Sequence, residues 1–123
     1  MIMKVRRDSM VTVEKLNGFG ADTDEGISRC CGSEALYIKL VNMIPNESNF
    51  EVLKDALERN DLDKAFEAAH ALKGVLGNLS LTPMYNKSVE ITELLRARTK
   101  TDYEPKLDEL LAMRDRLTEL CAS

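Results

Sequence analysis

The sequence has no tryptophan, a single histidine and only three cysteines, and 5% of its residues are aromatic. A core must therefore be built mainly from leucine, isoleucine, valine, methionine and alanine, which is the composition of packed helices. One histidine and an odd number of cysteines without C-x-x-C spacing leave little from which to assemble a zinc site. We interpret Cys30, Cys31 and Cys121 as reduced thiols of a cytoplasmic protein, with a strained Cys30–Cys31 disulfide as the alternative.

The sequence also lacks the features of membrane and nucleic-acid-binding proteins. No run approaches the about eighteen apolar residues of a membrane span, and residues 1–10 lack the apolar core of a signal peptide. The net charge is −4, and a basic cluster at Lys4, Arg6 and Arg7 is too small for a nucleic-acid footprint. Because 44% of residues are hydrophobic and 31% charged, we expect a frayed segment at 1–10 and a single helical domain at 11–123.

Capping residues and hydrophobic periodicity predict helices along the whole chain. Two short helices are expected first, one at 11–19 closed by glycines and one at 22–31 capped by Asp22 and Asp24. The longer helices are predicted at 33–44, where Pro45 interrupts, and at 49–60, 61–79, 83–98 and from 105 to the C-terminus. No segment shows sustained period-two alternation. The fold class that follows is all-α, an antiparallel four-helix bundle with short extra N-terminal helices.

The helix that begins after Asp61 separates His70 from the predicted core. On a wheel of about 100° per residue, His70 lies about 160° from the centre of the apolar stripe. That stripe consists of Ala65, Ala68, Ala69, Leu72, Leu76 and Leu79. A core histidine would lie within the stripe, so we predict that His70 is exposed. An exposed histidine on a helix is most often only a solvated residue, and its neighbours must decide whether it has a function.

Two glycines lie along the predicted face of His70, Gly74 at i+4 and Gly77 at i+7. Each costs a helix interior about 1 kcal/mol relative to alanine, and the sequence offers no packing reason for either. Sequence drift or a helix bend is one explanation. The explanation that we favour is a surface without side chains, which lets the loops of a partner protein approach the imidazole.

Three further side chains share this face. Phe66 either tucks against an adjacent helix or is an exposed docking contact. Lys73 is either merely solvated or a cation that offsets the roughly two negative charges of a phosphoryl group on His70. Glu67 could pair with Lys73 or orient the ring, although its charge opposes a phosphate. Imidazole is a competent nucleophile near neutral pH. The sequence has no Gly-rich phosphate loop or catalytic triad, so we expect the histidine to be the target of another protein's chemistry.

The segment AHALKGVLGNLSL, residues 69–81, resembles the signature of histidine phosphotransfer (HPt) domains, H-x-L-K-G-x-x-x-N-L-G. The matching positions are His70, Leu72, Lys73, Gly74, Asn78 and Leu79. The departure is Ser80, where the family usually has glycine. The upstream segment DEGISRCCGSEALYIKLVNMI is similar to the leading helices of these domains, so the resemblance covers roughly residues 20 to 120.

The resemblance implies a phosphorelay intermediate. His70 would exchange a phosphoryl group, usually on its ring Nε2, with an aspartate of a receiver domain, either of a response regulator or of a hybrid sensor kinase. Lys73 would be its charge partner, Gly74 would keep space open, and Asn78 would orient the end of the helix. Mg²⁺ and the acidic pocket belong to the receiver, so no metal site or cofactor is implied here. The candidate partner-docking residues are Phe66, Glu67, Gly77 and Asn78.

The same comparison favours a phosphocarrier over an enzyme. Sensor kinases that phosphorylate their own histidine generally carry an acidic residue just after it, where this sequence has Ala71, and they have a separate ATP-binding domain. We therefore expect a cytoplasmic, monomeric, stand-alone carrier without kinase activity. Two alternatives stay open: a module that binds a receiver without accepting phosphate, and a helical adaptor that binds a receiver or another helical partner and in which His70 is incidental.

Overall fold

A computed structural model describes residues 10–122, so the segment expected to be frayed lies, apart from Met10, outside the described residues. The helices are α1 (Val13–Phe19), α2 (Thr23–Arg29), α3 (Glu34–Val41), α4 (Asn49–Glu58), α5 (Leu62–Asn78), α6 (Thr82–Arg96) and α7 (Glu104–Ala122), with a 3₁₀ turn at Ile44–Asn46. Over residues 10–122 there is no β-strand, which confirms the all-α prediction. None of the helices in this range combines the length and apolarity needed to cross a membrane.

The longer helices pack in chain order. Helix α4 contacts α5, α5 contacts α6, and α6 contacts α7. Short connections between neighbours make successive helices antiparallel, as predicted. Helix α7 also contacts α4. Arg114 of α7 donates to the carboxylate of Glu51 in α4 at 3.0 Å, and its guanidinium lies 5.5 Å from the ring centroid of Phe50 in the same helix. The predicted four-helix bundle with short N-terminal helices is therefore the observed one.

Side-chain caps set where most helices begin. Asp61 accepts a hydrogen bond from the Lys64 backbone N–H at 3.1 Å and so starts α5. Ser33 does the same for α3 through the Leu36 N–H, and Asp22 caps α2 through the Glu25 N–H. The prediction that Asp24 also caps α2 is wrong, because this residue lies within the first turn. Such caps satisfy N–H groups that the first turn leaves without partners.

Helix α3 ends three residues before the predicted Ile44. It ends at Val41, and the side-chain amide of Asn42 donates to the Ile38 carbonyl at 2.7 Å. Asparagine commonly ends a helix by such bonds to nearby backbone, because they replace the helical pattern. Pro45 then lies within the 3₁₀ turn, so the chain turns before α4 instead of continuing α3.

Helix α5 ends in a tight turn that directs the chain into α6. The Ser80 N–H donates to the Gly77 carbonyl and the Leu81 N–H to the Leu76 carbonyl, both at 3.1 Å, which is the Schellman arrangement. Ser80 adopts φ 52°, the left-handed conformation that usually selects glycine. The turn is therefore retained although this chain carries a serine there.

The N-terminal helices are attached to the same turn. The Tyr37 hydroxyl of α3 donates to the Leu79 carbonyl at 2.9 Å. The Asp22 N–H, at the start of α2, donates to the Ser80 carbonyl at 2.9 Å. Both carbonyls lie at the C-terminal end of α5, so the short leading helices brace the helix that carries His70.

Candidate functional site

His70 lies on the outer face of α5, and its side chain is exposed. The six apolar residues of the predicted stripe are all buried on the opposite face. The helix wheel therefore predicted both the core side of α5 and the orientation of the histidine correctly. Within residues 10–122, no group of three His, Cys, Asp or Glu side chains could hold a metal ion.

The imidazole of His70 stacks on the ring of Phe66. Their centroids are 5.8 Å apart and their planes differ by 16°. Phe66 is half-buried and packs against the core, while the guanidinium carbon of Arg96 in α6 lies over its ring, 5.1 Å from the centroid. Phe66 thus tucks against a neighbouring helix, as the first interpretation predicted, and its ring also stacks on His70. Its role as a docking contact stays a prediction.

Bare backbone next to His70 is found at Gly74. Gly74 is exposed, and a Cβ built on it would have no heavy atom within 4 Å. The half-buried Lys73 lies beside it on the same face. The site therefore combines a nucleophilic ring, one neighbouring cation and a stretch of helix that another molecule can approach closely.

Gly77 differs from Gly74, and the expectation that neither glycine has a packing reason is wrong for it. A Cβ at Gly77 would lie 3.0 Å and 3.1 Å from Cε1 and Cδ1 of Tyr85. The ring of Tyr85, on α6, lies over this position, so any larger residue there would have to displace the ring and glycine allows the closest packing of the two helices. The uncovered surface extends from His70 over Gly74 and ends at the Tyr85 ring.

Two grooves border α5. One, of about 460 Å³, lies between α2, α5 and α6 and is lined by residues that include Arg29, Lys73 and Tyr85. The other, of about 620 Å³, lies against the 3₁₀ turn and is lined by residues that include Met43 and Val75. Asn78 is exposed and lines both.

Two features of this surface were missed by the sequence reasoning. The side chain of Met43 is 59% exposed, an apolar surface that the helix prediction over 33–44 did not identify. Arg96 was not considered because its place over Phe66 depends on how α6 crosses α5. Glu67 is exposed, and within the described part of the chain it makes no ion pair with Lys73.

The arrangement suits nucleophilic attack from the edge of the imidazole. The lone pair of an unprotonated ring nitrogen lies in the plane of the ring, whereas stacking on Phe66 occupies a face. The contact can therefore restrain the ring without covering its nucleophilic atom, and Lys73 lies close enough along the helix to favour an incoming anion.

One comparison with known proteins gives a match. The family model described as the Hpt domain matches residues 46–122, a range that contains α4 to α7 and therefore His70. Comparisons with curated proteins and with solved structures gave no match.

Proposed function

Because this chain belongs to the Hpt domain family, whose members are phosphocarriers of two-component phosphorelays, we propose that His70 accepts a phosphoryl group from an aspartate of a receiver domain and passes it on. The observation that carries the proposal is the exposed imidazole beside the uncovered backbone of Gly74. A bulky protein donor needs both features, because the two reacting groups must come into line.

The proposed step conserves atoms and charge. The lone pair of the unprotonated ring nitrogen attacks the phosphorus of the aspartyl phosphate, and a P–N bond forms as the P–O bond to the aspartate breaks. The aspartate leaves as a carboxylate with the bonding electron pair. The phosphorylated ring then loses the proton on its other nitrogen to water. Donation to a second receiver runs through the same steps in reverse, and we place the Mg²⁺ of the reaction on the receiver.

The neighbours of His70 have distinct proposed roles. Lys73 offsets part of the roughly two negative charges that a phosphoryl group brings. Gly74 leaves room for the loops of the receiver. Glu67 and Asn78 are exposed along the same face and contact the receiver at the border of the site. Gly77 contributes indirectly, because it lets Tyr85 pack against α5.

We further propose that the chain is a monomeric, cytoplasmic carrier without kinase activity, and that its partner is a receiver of a response regulator or of a hybrid sensor kinase. The phosphoryl group would always come from another protein. This part of the proposal rests on the family and on the sequence features described above.

Replacement of His70 with glutamine tests the function. The wild type is incubated with a phosphorylated receiver and Mg²⁺, and phosphate on position 70 is measured by mass spectrometry and by its lability in acid. We expect His70→Gln to lose this phosphate and to bind the receiver with unchanged affinity in a titration. A wild-type chain that binds the receiver and never takes up phosphate would instead be a silent interaction module or a receiver-binding adaptor, and one that does neither would be an adaptor for another helical partner.

A further inference from the structure

We propose that Phe66 is a positioning residue that holds the imidazole of His70 in one orientation for phosphoryl transfer, and that Arg96 holds Phe66 in place. The inference rests on the proposed function, because it assigns these residues a role in the reaction of His70. It concerns how the ring is restrained and is independent of what the partner protein contacts.

An exposed histidine on a helix would ordinarily sample several rotamers. Here the ring has a neighbour one turn earlier on the same face, where residues at i and i+4 meet. The two rings are nearly parallel, with 16° between their planes and 5.8 Å between their centroids. The plane of the imidazole therefore follows the plane of Phe66.

Phe66 is itself restrained from two sides. It is half-buried and packs against the core, so its rotation is limited. The guanidinium of Arg96 lies over the ring at 5.1 Å, within the range of a cation–π contact. Arg96 in turn donates from Nε to the Glu93 carboxylate at 3.2 Å. An exposed ring on α5 thus takes its orientation from a contact with α6.

Orientation matters because the reactive lone pair lies in the ring plane. In-line attack on phosphorus requires that plane to point at the donor, and phosphoryl transfer depends mainly on positioning. If the ring were released among about three orientations, the productive one would be occupied about a third of the time. We therefore expect loss of the stack to slow phosphorylation about threefold.

The test compares a donor that docks with one that does not. In phosphoramidate, the P–N bond to ammonia breaks as the P–N bond to the imidazole forms, and no protein surface is involved. With a phosphorylated receiver, we expect Phe66→Leu to be about threefold slower than the wild type at unchanged receiver affinity, and Phe66→Tyr, which keeps the stack, to match the wild type. With phosphoramidate, which can approach the ring in any orientation, both variants should react at the wild-type rate. Relaxation of the His70 ring carbons in NMR should show larger ring motion in Phe66→Leu and not in Phe66→Tyr.

Two arginine variants complete the comparison. Arg96→Gln should slow the reaction in the same direction as Phe66→Leu, and it leaves the core contacts of Phe66 in place. The matched control is Arg116→Gln, because the Arg116 guanidinium lies 5.8 Å from the centroid of Phe19 and makes the same kind of contact on a different pair of helices. This variant should react at the wild-type rate. Thermal unfolding of each variant shows whether it is folded.

The outcomes separate the possible failures. A Phe66→Leu variant that binds the receiver more weakly, and transfers at the wild-type rate once the receiver is saturating, would make Phe66 a docking contact and overturn the inference. If Phe66→Leu does not fold, Arg96→Gln provides the test. Equal rates for Arg96→Gln and Arg116→Gln, or unchanged motion of the His70 ring in Arg96→Gln, would then overturn the role assigned to Arg96. A wild type that accepts phosphate from neither donor would refute the proposed function, and the NMR comparison would still decide whether Phe66 restrains the ring.

Discussion

Replacement of Ser80 with glycine should stabilise this protein. Ser80 has φ 52°, is 6% exposed, and its Oγ has no hydrogen-bond partner among the described residues. Its carbonyl accepts from the Asp22 N–H and the Thr82 hydroxyl, and its N–H donates to Gly77. Glycine keeps all three of these backbone bonds while removing both unfavourable features.

The size of the effect follows from three contributions. A buried hydroxyl without a partner costs about 1–3 kcal/mol, and a left-handed conformation with a Cβ costs about 1–2 kcal/mol. Glycine offsets about 0.5–1 kcal/mol of this gain, because the unfolded chain has more conformational freedom with glycine at this position. We therefore expect the free energy of unfolding to rise by about 2 kcal/mol, which at about 4 °C per kcal/mol raises Tm by about 8 °C.

Urea unfolding followed by circular dichroism measures this change. Two further variants separate the contribution of the buried hydroxyl from that of the left-handed conformation. Ser80→Ala removes the hydroxyl and keeps the Cβ, so it should gain only about 1 kcal/mol. Asn60→Gly is the matched control, because Asn60 has φ 57° after α4 but is exposed. Asparagine tolerates this conformation, so the gain there should be only about a few tenths of a kcal/mol. A Ser80→Gly variant no more stable than the wild type would refute the reasoning.

Three other predictions follow. Gly74→Ala should raise the free energy of unfolding by about 0.5–1 kcal/mol, because its methyl group enters open space. If the proposed function is correct, it should also slow transfer from a phosphorylated receiver more than from phosphoramidate. Gly77→Ala should gain less, or lose stability, because the ring of Tyr85 must shift; urea unfolding distinguishes the two glycines. Burial, the largest cause, raises the pKa of Tyr37 from 10.0 to about 12. The unfolded chain therefore loses this proton first, so stability from Tyr37 is complete below pH 10 and is lost as the pH rises through about 12. Unfolding measured across this range should show the loss in the wild type and a smaller one in Tyr37→Phe.

Much of the fold was predictable because it depends on residues a few positions apart. The cap at Asp61, the apolar stripe of α5 and the exposure of His70 are all set within one or two helical turns. The end of α3 was misplaced because Met43 and Ile44 continue the apolar spacing, although Asn42 already bonds back to the Ile38 carbonyl.

The parts of the site that were not predictable depend on contacts between helices. A helix wheel gives the direction in which Gly77 points, but not that Tyr85 of the next helix lies over it. The wheel also left open whether Phe66 packs against an adjacent helix, because its contact there is with Arg96, thirty positions along the chain. Such neighbours are fixed by how α5 and α6 pack, which local sequence patterns do not specify.

The hydrogen bonds from Tyr37 and Asp22 to the end of α5 indicate which part of the chain must fold together with that helix. Gly26 of α2 packs so closely on the Tyr37 ring that any added Cβ would collide with it. A fragment cut to the family-matched residues 46–122 would lose the Tyr37 donor to the Leu79 carbonyl and the Asp22 donor to the Ser80 carbonyl, at the turn that directs the chain into α6. The family match thus begins at residue 46, whereas the contacts that hold the turn after α5 begin at Asp22.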